Sequence, residues 1–333
     1  VKMYRPKILI TNKVSQVGVD RLRALGFEIV WSKSNSVEDV KEVIGDCDGI
    51  IARMTPVKKE LIDVAPNLKI IGMHGVGLDG IDVKLATEKG IAVTHAPAAN
   101  CISVAEHVMT SILCLAKKTI QADYALRQEN RFTDRDQFLG CDIDGKVLGI
   151  VGLGKIGRQL AQKASLGFDM KVIAYDPYVS AEQMKTVGAG VEKIDTMEDV
   201  MKRADFVSFH TQLTPEMVGV VNYDLLKLMK PTAYFINEMR GALVNEDDLY
   251  QALEDGIIAG AALDVFIKEP TPINYKILKA PNLIATPHIA ASTQESMDRM
   301  ILTVVEDFAN FFQNKEVEFL ANPDYMNAAE ATK

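Results

Sequence analysis

Short runs of aliphatic and β-branched residues alternate with helix-period stretches over almost the whole chain. KILIT (7–11) precedes an amphipathic VGVDRLRALG; FEIVW (27–31), the helical VEDVKEVIGD, GIIA (49–52), LKIIGM (68–73) and IAVTH (91–95) follow. Apolar runs of four to six residues separated by helical segments predict parallel strands covered on both faces. This first series has no glycine-rich phosphate loop. A helical stretch from about Ile102 to Gln128 comes next, with no obvious breaker, and is expected to cross between domains. A second series starts at KVLGIVGLGKIG (146–157) and runs through KVIAYD, FVSFH, AYFIN, GAALDV and NLIATPH. The last helix, about Gln294 to Phe312, is expected to pack back on the first series, and the tail ANPDYMNAAEATK to fray.

This order predicts an α/β protein of two doubly wound, parallel-sheet, Rossmann-like domains. Residues 101–294 form the dinucleotide-binding domain, inserted in a flavodoxin-like substrate domain built from 1–100 and 295–333. A length of 333 residues fits two cores better than one. No repeat of solenoid length and no low-complexity segment is present.

Composition adds mainly exclusions. The chain is 48% hydrophobic and 25% charged, with a net charge of −8, so neither a nucleic-acid nor a membrane partner is expected. Cys47, Cys101, Cys114 and Cys141 are scattered without metal-ligand spacing, which argues against a structural metal and fits free thiols in a reducing cytoplasm. The first residues lack the apolar core of a secretory signal, and no apolar run reaches the ~18 residues that would span a bilayer. A cytoplasmic protein is expected.

The first chemical motif is Gly152-Leu-Gly154-Lys155-Ile156-Gly157, between an apolar strand and the helical RQLAQKA. Gly152 permits the tight turn, Gly154 lets the backbone approach a pyrophosphate, and Gly157 lets the helix pack on the strand. The next strand ends in Asp176, nineteen residues past Gly157. A carboxylate there accepts both hydroxyls of an adenosine ribose and repels a 2′-phosphate, and YDPYVSAE offers no cation, so NAD is favoured over NADP. A packing loop with a capping aspartate is the plainer alternative.

Three further strands end in polar residues. AYFIN leads to Arg240, GAALDV to Glu269, and NLIATP to His288. Ligands of doubly wound sheets bind outside the carboxyl ends of the strands, so the three would share the cofactor's rim. Arginine grips a carboxylate with two parallel hydrogen bonds, histidine exchanges a proton near neutrality, and a nearby carboxylate favours and orients the imidazolium. Beside a nicotinamide, this set is what hydride exchange between a 2-hydroxy acid and a 2-oxo acid requires. Singly, Arg240 reads as a surface ion-pair residue, Glu269 as a loop acid and His288 as a satisfied loop histidine. Their equivalent places on one sheet give the set its weight.

With these residues in hand, the chain resembles the D-isomer-specific 2-hydroxyacid dehydrogenases, most of all the D-3-phosphoglycerate dehydrogenase branch. The resemblance runs from about residue 7 to 310 through GVGLDGIDV (75–83), SVAEHVMTSILCLAKK (103–118), VGLGKIG, YDP, INEMRGALVNEDDL, AGAALDVFIKEP and TPHIAAST (286–293). It implies that Arg240 binds the substrate carboxylate and polarises the C2 carbonyl, that His288 is the general acid/base, and that Glu269 pairs with it. Asp264 would hold the nicotinamide carboxamide. Lys155 and Ile156 would contact the cofactor phosphates, and Thr211, Glu238 and Met239 would line the cofactor site. The N–H groups of Gly75, Val76 and Gly77 would receive the substrate carboxylate. Arg53 stands where this branch commonly has an anion-facing arginine, although an exposed strand-end charge explains it equally well.

Several positions depart from the family pattern. Met239 stands where a small residue usually precedes the arginine, with the charged Glu238 before it. Gln212 replaces a common proline, Met217 a frequent threonine, and Gly80 the asparagine of GVGxDN; Met73-His74 replace a segment that often holds an arginine. These changes remove no catalytic group but weaken phosphoglycerate as the substrate. The chain is therefore expected to be an NAD-dependent D-2-hydroxyacid dehydrogenase acting on a small molecule in a cleft that closes between two domains, without an appended regulatory domain. A hydroxypyruvate/glyoxylate or D-lactate-type reductase is the alternative, and an NAD(H)-sensing co-repressor-like protein the alternative of another class. A homodimer is expected, because the 102–128 segment is apolar on more than one face and the family pairs there.

Overall fold

The structure is a computed structural model that describes residues 4–188 and 190–327. It divides into two compact units, Val1–Asn100 with Ser292–Lys333, and Cys101–Ala291. Each is built on one parallel sheet.

In the first unit, β1 (Lys7–Ile10), β2 (Glu28–Trp31), β3 (Gly49–Ala52), β4 (Ile70–Met73) and β5 (Ala92–Thr94) lie in the order β2-β1-β3-β4-β5. This is the flavodoxin-like order. The all-apolar β3 and β4 are fully buried, as their unbroken hydrophobic runs predict. FEIVW is different. It supplies the edge strand β2, which has a neighbour on one side only, and Glu28 and Trp31 reach solvent.

The helix Gln294–Phe312 brings the chain back to this sheet, and Ile301, Val304, Val305 and Phe308 pack against Ile8, Ile10, Ile51 and Ile70. Its Asp307 is buried and accepts hydrogen bonds from Thr94 Oγ1 and the N–H groups of Glu318 and Phe319. Burial raises the pKa of this carboxyl, and the three donors oppose the rise. The expected frayed tail is in fact tied down over 321–327. Ala321 N–H donates to Val93, while Asn322 bonds the backbone of Val93 and Ile91 and the Thr87 hydroxyl. Residues 328–333 of that tail lie outside the described residues.

The second unit holds β6 (Val147–Val151), β7 (Lys171–Tyr175), β8 (Glu192–Lys193), β9 (Phe206–Phe209), β10 (Tyr234–Asn237), β11 (Gly260–Leu263) and β12 (Leu283–Ala285). Their order is β12-β11-β10-β9-β6-β7-β8, so the winding reverses beside β6, where β7 and β9 flank it. Only the two-residue β8 had no counterpart among the expected strands. One face packs Leu148, Ile150 and Phe206 against the helices Cys101–Lys117 and Lys155–Phe168; the other buries Phe209, Phe235, Leu249 and Leu253.

The helical stretch expected to run unbroken from 102 to 128 is two helices, Cys101–Lys117 and Thr119–Glu129. Lys118 between them is left-handed, with φ 51°. The cause lies in a distant segment: the N–H of Cys141 donates to the Ala116 carbonyl, closing off the first helix's last turn. Among the described residues no helix is long and apolar enough to cross a membrane, and no cluster of potential metal ligands occurs.

Candidate active site

The β6 loop has the geometry of a phosphate cradle. Gly152 adopts φ +97°, and a Cβ there would lie 2.7 Å from the His210 carbonyl carbon; one on Gly157 would lie 2.4 Å from the Gly152 oxygen. Both positions therefore require glycine. Gly154 is exposed, with nothing within 4 Å of where its Cβ would stand. It opens the helix Lys155–Phe168, whose N-terminus has no side-chain cap and no acid in its first turn. Lys155 is exposed and Ile156 partly so.

Asp176 lies beside this loop at the end of β7. Its Oδ2 accepts from Leu153 N–H at 2.8 Å and its Oδ1 from Tyr178 N–H at 2.9 Å. Each oxygen keeps a lone pair for a ribose hydroxyl. Thr211, next to Gly152, has a buried hydroxyl without a hydrogen-bond partner among the described residues. Open backbone, a bare helix N-terminus and a ribose-ready carboxylate fit a dinucleotide.

Arg240, Glu269 and His288 follow the carboxyl ends of the neighbouring strands β10, β11 and β12. Glu269 Oε2 lies 2.8 Å from His288 Nδ1, and its Oε1 accepts the Phe266 N–H at 2.9 Å. The acid is thus fixed by backbone and fixes the ring, leaving Nε2 as the nitrogen for proton exchange. His288 has φ +55°, an unusual conformation for a side-chain-bearing residue, and is held there by its N–H donating to the Asp264 carbonyl at 2.8 Å. The fully buried Asp264 carboxylate accepts from Thr286 Oγ1, Ile289 N–H and Ala290 N–H at 2.6 to 2.8 Å. It anchors the histidine loop and keeps one lone pair on Oδ2.

Arg240 is half-buried, and its Nη1 donates to the Met239 carbonyl at 2.7 Å. Asn237, which sequence reasoning did not single out, ties this turn together. Its Nδ2 donates to the Arg240 carbonyl and its Oδ1 accepts the Met239 N–H. A fully buried asparagine at a strand end was the available signal. Gly241 allows the chain to pass Phe266, whose carbonyl carbon is 2.0 Å from the Cβ that the glycine lacks.

Glu238 turns its carboxylate onto the helix Cys101–Lys117. Ser111 Oγ donates to Oε1 at 2.7 Å, and Oε2 lies 2.9 Å from His107 Nδ1, off the axis of a straight hydrogen bond. Burial raises the Glu238 pKa, and the contact with Glu238 raises that of His107. Neither His107 nor Ser111 was singled out in the sequence; their i,i+4 spacing puts them on one helix face, but no local pattern names Glu238 as their partner.

In the first unit, Arg53 and His74 follow the adjacent strands β3 and β4. Arg53 is half-buried, and desolvation lowers the pKa of its guanidinium. His74 is buried without a well-formed ring hydrogen bond; burial, with the nearby Arg53 charge, pushes its pKa down to about 4. In the loop Gly75-Val76-Gly77, the Gly75 carbonyl accepts from Ala96 N–H and the Val76 carbonyl faces His95 Nδ1 at 2.8 Å. The N–H groups of Val76 and Gly77 are left unpaired among the described residues.

Residues 109–290 match the family model described as D-isomer specific 2-hydroxyacid dehydrogenase, NAD binding domain. The chain belongs to the D-isomer specific 2-hydroxyacid dehydrogenase family. The match to the family's NAD-binding domain falls within the second unit, Cys101–Ala291.

The chain is 39% identical to a D-3-phosphoglycerate dehydrogenase of Methanocaldococcus jannaschii, over 95% of this chain and 59% of that protein. It thus spans about three fifths of the length of the first curated relatives it matches. Among solved structures, the D-lactate dehydrogenase of Aquifex aeolicus complexed with NAD and lactic acid is 31% identical, with a TM-score of 0.79 over 92% of this chain and 96% of that one. The NADPH-dependent glyoxylate/hydroxypyruvate reductase of Sinorhizobium meliloti is 28% identical, with a TM-score of 0.82 over 97% and 98%.

Proposed function

We propose that this chain interconverts a D-2-hydroxy acid and its 2-oxo acid with NAD, and the observation that carries the reading is the Glu269–His288 pair on the rim of the NAD site. Bound NAD(H) supplies the hydride. In the direction of reduction, Arg240 holds the 2-oxo acid carboxylate and polarises the C2 carbonyl, while His288 Nε2 gives its proton to the carbonyl oxygen. Glu269 keeps Nδ1 engaged and so orients the ring. The cofactor is bound by the Gly152–Gly157 loop, Asp176, Thr211 and the Glu238–Met239 backbone, with the nicotinamide carboxamide on Asp264. Arg53 and the free N–H groups of Val76 and Gly77 serve as anion donors to the substrate.

Phosphoglycerate is supported by the names of the curated relatives and by Arg53. Met73-His74, in a segment that often holds an arginine in the family, count against that substrate and leave room for an acid of the glyoxylate, hydroxypyruvate or lactate kind. NADH oxidation with a panel of 2-oxo acids including phosphohydroxypyruvate tests both readings. Turnover of any member supports the enzyme and ranks the substrates; tight NADH binding with no turnover of any favours a sensor. The reading includes a homodimer, supported by Ile120, Tyr124, Leu126 and Phe132, exposed on and just beyond the helix Thr119–Glu129. It also includes a cytoplasmic location, supported by four free cysteines. A monomer by sedimentation at micromolar concentration would count against the dimer.

A further inference from the structure

Strand order fixes which end of the dinucleotide meets which residues. Asp176, on β7, would take the adenosine ribose, and the open backbone at Gly154 would receive the pyrophosphate. The other half must then cross the switch point beside β6 and lie over the carboxyl ends of β9, β10 and β11. Glu238 is the first residue after β10, and Asp264 the first after β11. Glu238 therefore stands under the nicotinamide half, yet its carboxylate is engaged by His107 and Ser111 from the helix behind.

We propose that Glu238 and His107 form a proton-carrying pair that biases the site between oxidised and reduced nicotinamide. The inference rests on the NAD site and not on which acid is reduced. Oxidised nicotinamide carries a positive charge and reduced nicotinamide none. With one proton between them the pair is neutral; with none it is a lone carboxylate of charge −1. Only the second state favours the oxidised ring, and a buried carboxylate acts on it with little screening.

Burial holds the Glu238 proton to higher pH, and the Glu238 contact does the same for His107. The pair therefore keeps one proton above the ordinary imidazole range, and its net charge becomes negative as pH rises beyond that. The surrounding groups do not duplicate this change. Ser111, on the same helix as His107, is uncharged. Arg240, after β10, is a fixed cation. Asp264, after β11, is held by three donors and faces both members of the pair. His210, after β9, is neutral at working pH because burial pushes its pKa down to about 3. The remaining proton carrier on the rim is His288, with its partner Glu269.

The test measures NAD+ and NADH affinities of the full chain between about pH 6 and 9.5, without any 2-oxo acid, by NADH fluorescence and by calorimetry for NAD+. As pH rises, the ratio of the NAD+ dissociation constant to that of NADH should fall by about ten-fold, the order expected for one added charge acting through a partly buried site. Glu238→Gln, which keeps the Ser111 contact, should flatten that fall; His107→Gln, which leaves the buried carboxyl to titrate alone, should move it to a different pH; His288→Asn should keep it. Thermal melts establish that each variant is folded. A flat ratio in the wild-type chain, an unchanged fall in Glu238→Gln, or a fall abolished by His288→Asn would overturn the proposal. No acid is present, so a failed substrate panel leaves this readout intact; loss of dinucleotide binding in the wild-type chain would sink both readings together.

Discussion

Asp264 holds His288 in two ways. Its carbonyl accepts the His288 N–H at 2.8 Å, and its carboxylate takes the N–H groups of the next two residues. One buried acid thereby sets the left-handed backbone from which the imidazole is presented. Asp264→Asn replaces one of the two acceptor oxygens with an NH2 donor that must face the N–H of Ile289 or that of Ala290. Loss of about 2 kcal/mol of stability is expected from the unmatched groups, with a fall in kcat beyond ten-fold as the ring loses its position. Urea unfolding and steady-state rates would show both; a variant with unchanged kcat would mean that the loop is positioned by something else.

Glu269 acts through His288 in this scheme, so their substitutions should not add. His288→Asn should lower kcat by about two to four orders of magnitude, and Glu269→Gln by about ten-fold or more. The double variant should be no worse than His288→Asn alone, because the acid has no ring left to orient. Additive losses would assign Glu269 an independent contact with substrate or cofactor.

The polar residues at the strand ends were legible because each follows an unbroken apolar run, and a parallel sheet places all such ends on one rim. Arg240, Glu269 and His288 could be read together for that reason. Glu238 could be read as an oddity but not resolved. Its partners His107 and Ser111 lie more than a hundred residues earlier, on a helix whose packing no local pattern specifies. The break at Lys118 was hidden in the same way, since the Cys141 N–H that ends the helix comes from a distant loop. Asn322 in the tail is a third case: a polar residue in a segment without periodicity, ordered by hydrogen bonds to the backbone at Ile91 and Val93.

Gly241 follows Arg240, and the structure gives its reason. A Cβ at this position would lie 2.0 Å from the carbonyl carbon and 2.3 Å from the oxygen of Phe266, both backbone atoms that cannot rotate away. Gly241→Ala should cost about 3 kcal/mol. It should also lower kcat/KM, because relief of the clash displaces Arg240. Calorimetry together with steady-state kinetics checks this; a melting temperature within a degree of wild type would show that the β10 rim yields easily.

The buried His210 makes stability depend on acid. Its Nε2 lies 2.8 Å from Ser208 Oγ, and burial pushes its pKa from 6.5 to about 3. Between these values the unfolded chain binds a proton that the folded chain refuses. The stability linked to His210 is therefore complete above pH 6.5 and is lost as pH falls toward 3, by up to about 1.4 kcal/mol per pH unit. His74, pushed down to about 4 by burial, acts in the same direction over the upper part of that window. In urea unfolding between pH 7 and 5, His210→Gln should lose about 2 kcal/mol less stability than wild type. Equal losses would show that protonated His210 is accommodated in the fold.

Asp176 holds the glycine loop and is proposed to hold the cofactor as well, and two substitutions separate these roles. Its oxygens accept from Leu153 N–H within the glycine loop and from Tyr178 N–H beyond the strand. Asp176→Asn removes the charge and retains one acceptor, so it should weaken NADH binding while relieving repulsion of a 2′-phosphate. Asp176→Ala also frees the Leu153 N–H and should loosen the loop for either cofactor. The expected result is a ratio of NADPH to NADH efficiency that rises about ten-fold or more in Asp176→Asn, roughly the effect of one lost charge at close range. Asp176→Ala should show a similar ratio but lower efficiency with both cofactors. Strict NADH preference in Asp176→Asn would place the discrimination in the shape of the YDPYVS loop and not in the carboxylate charge.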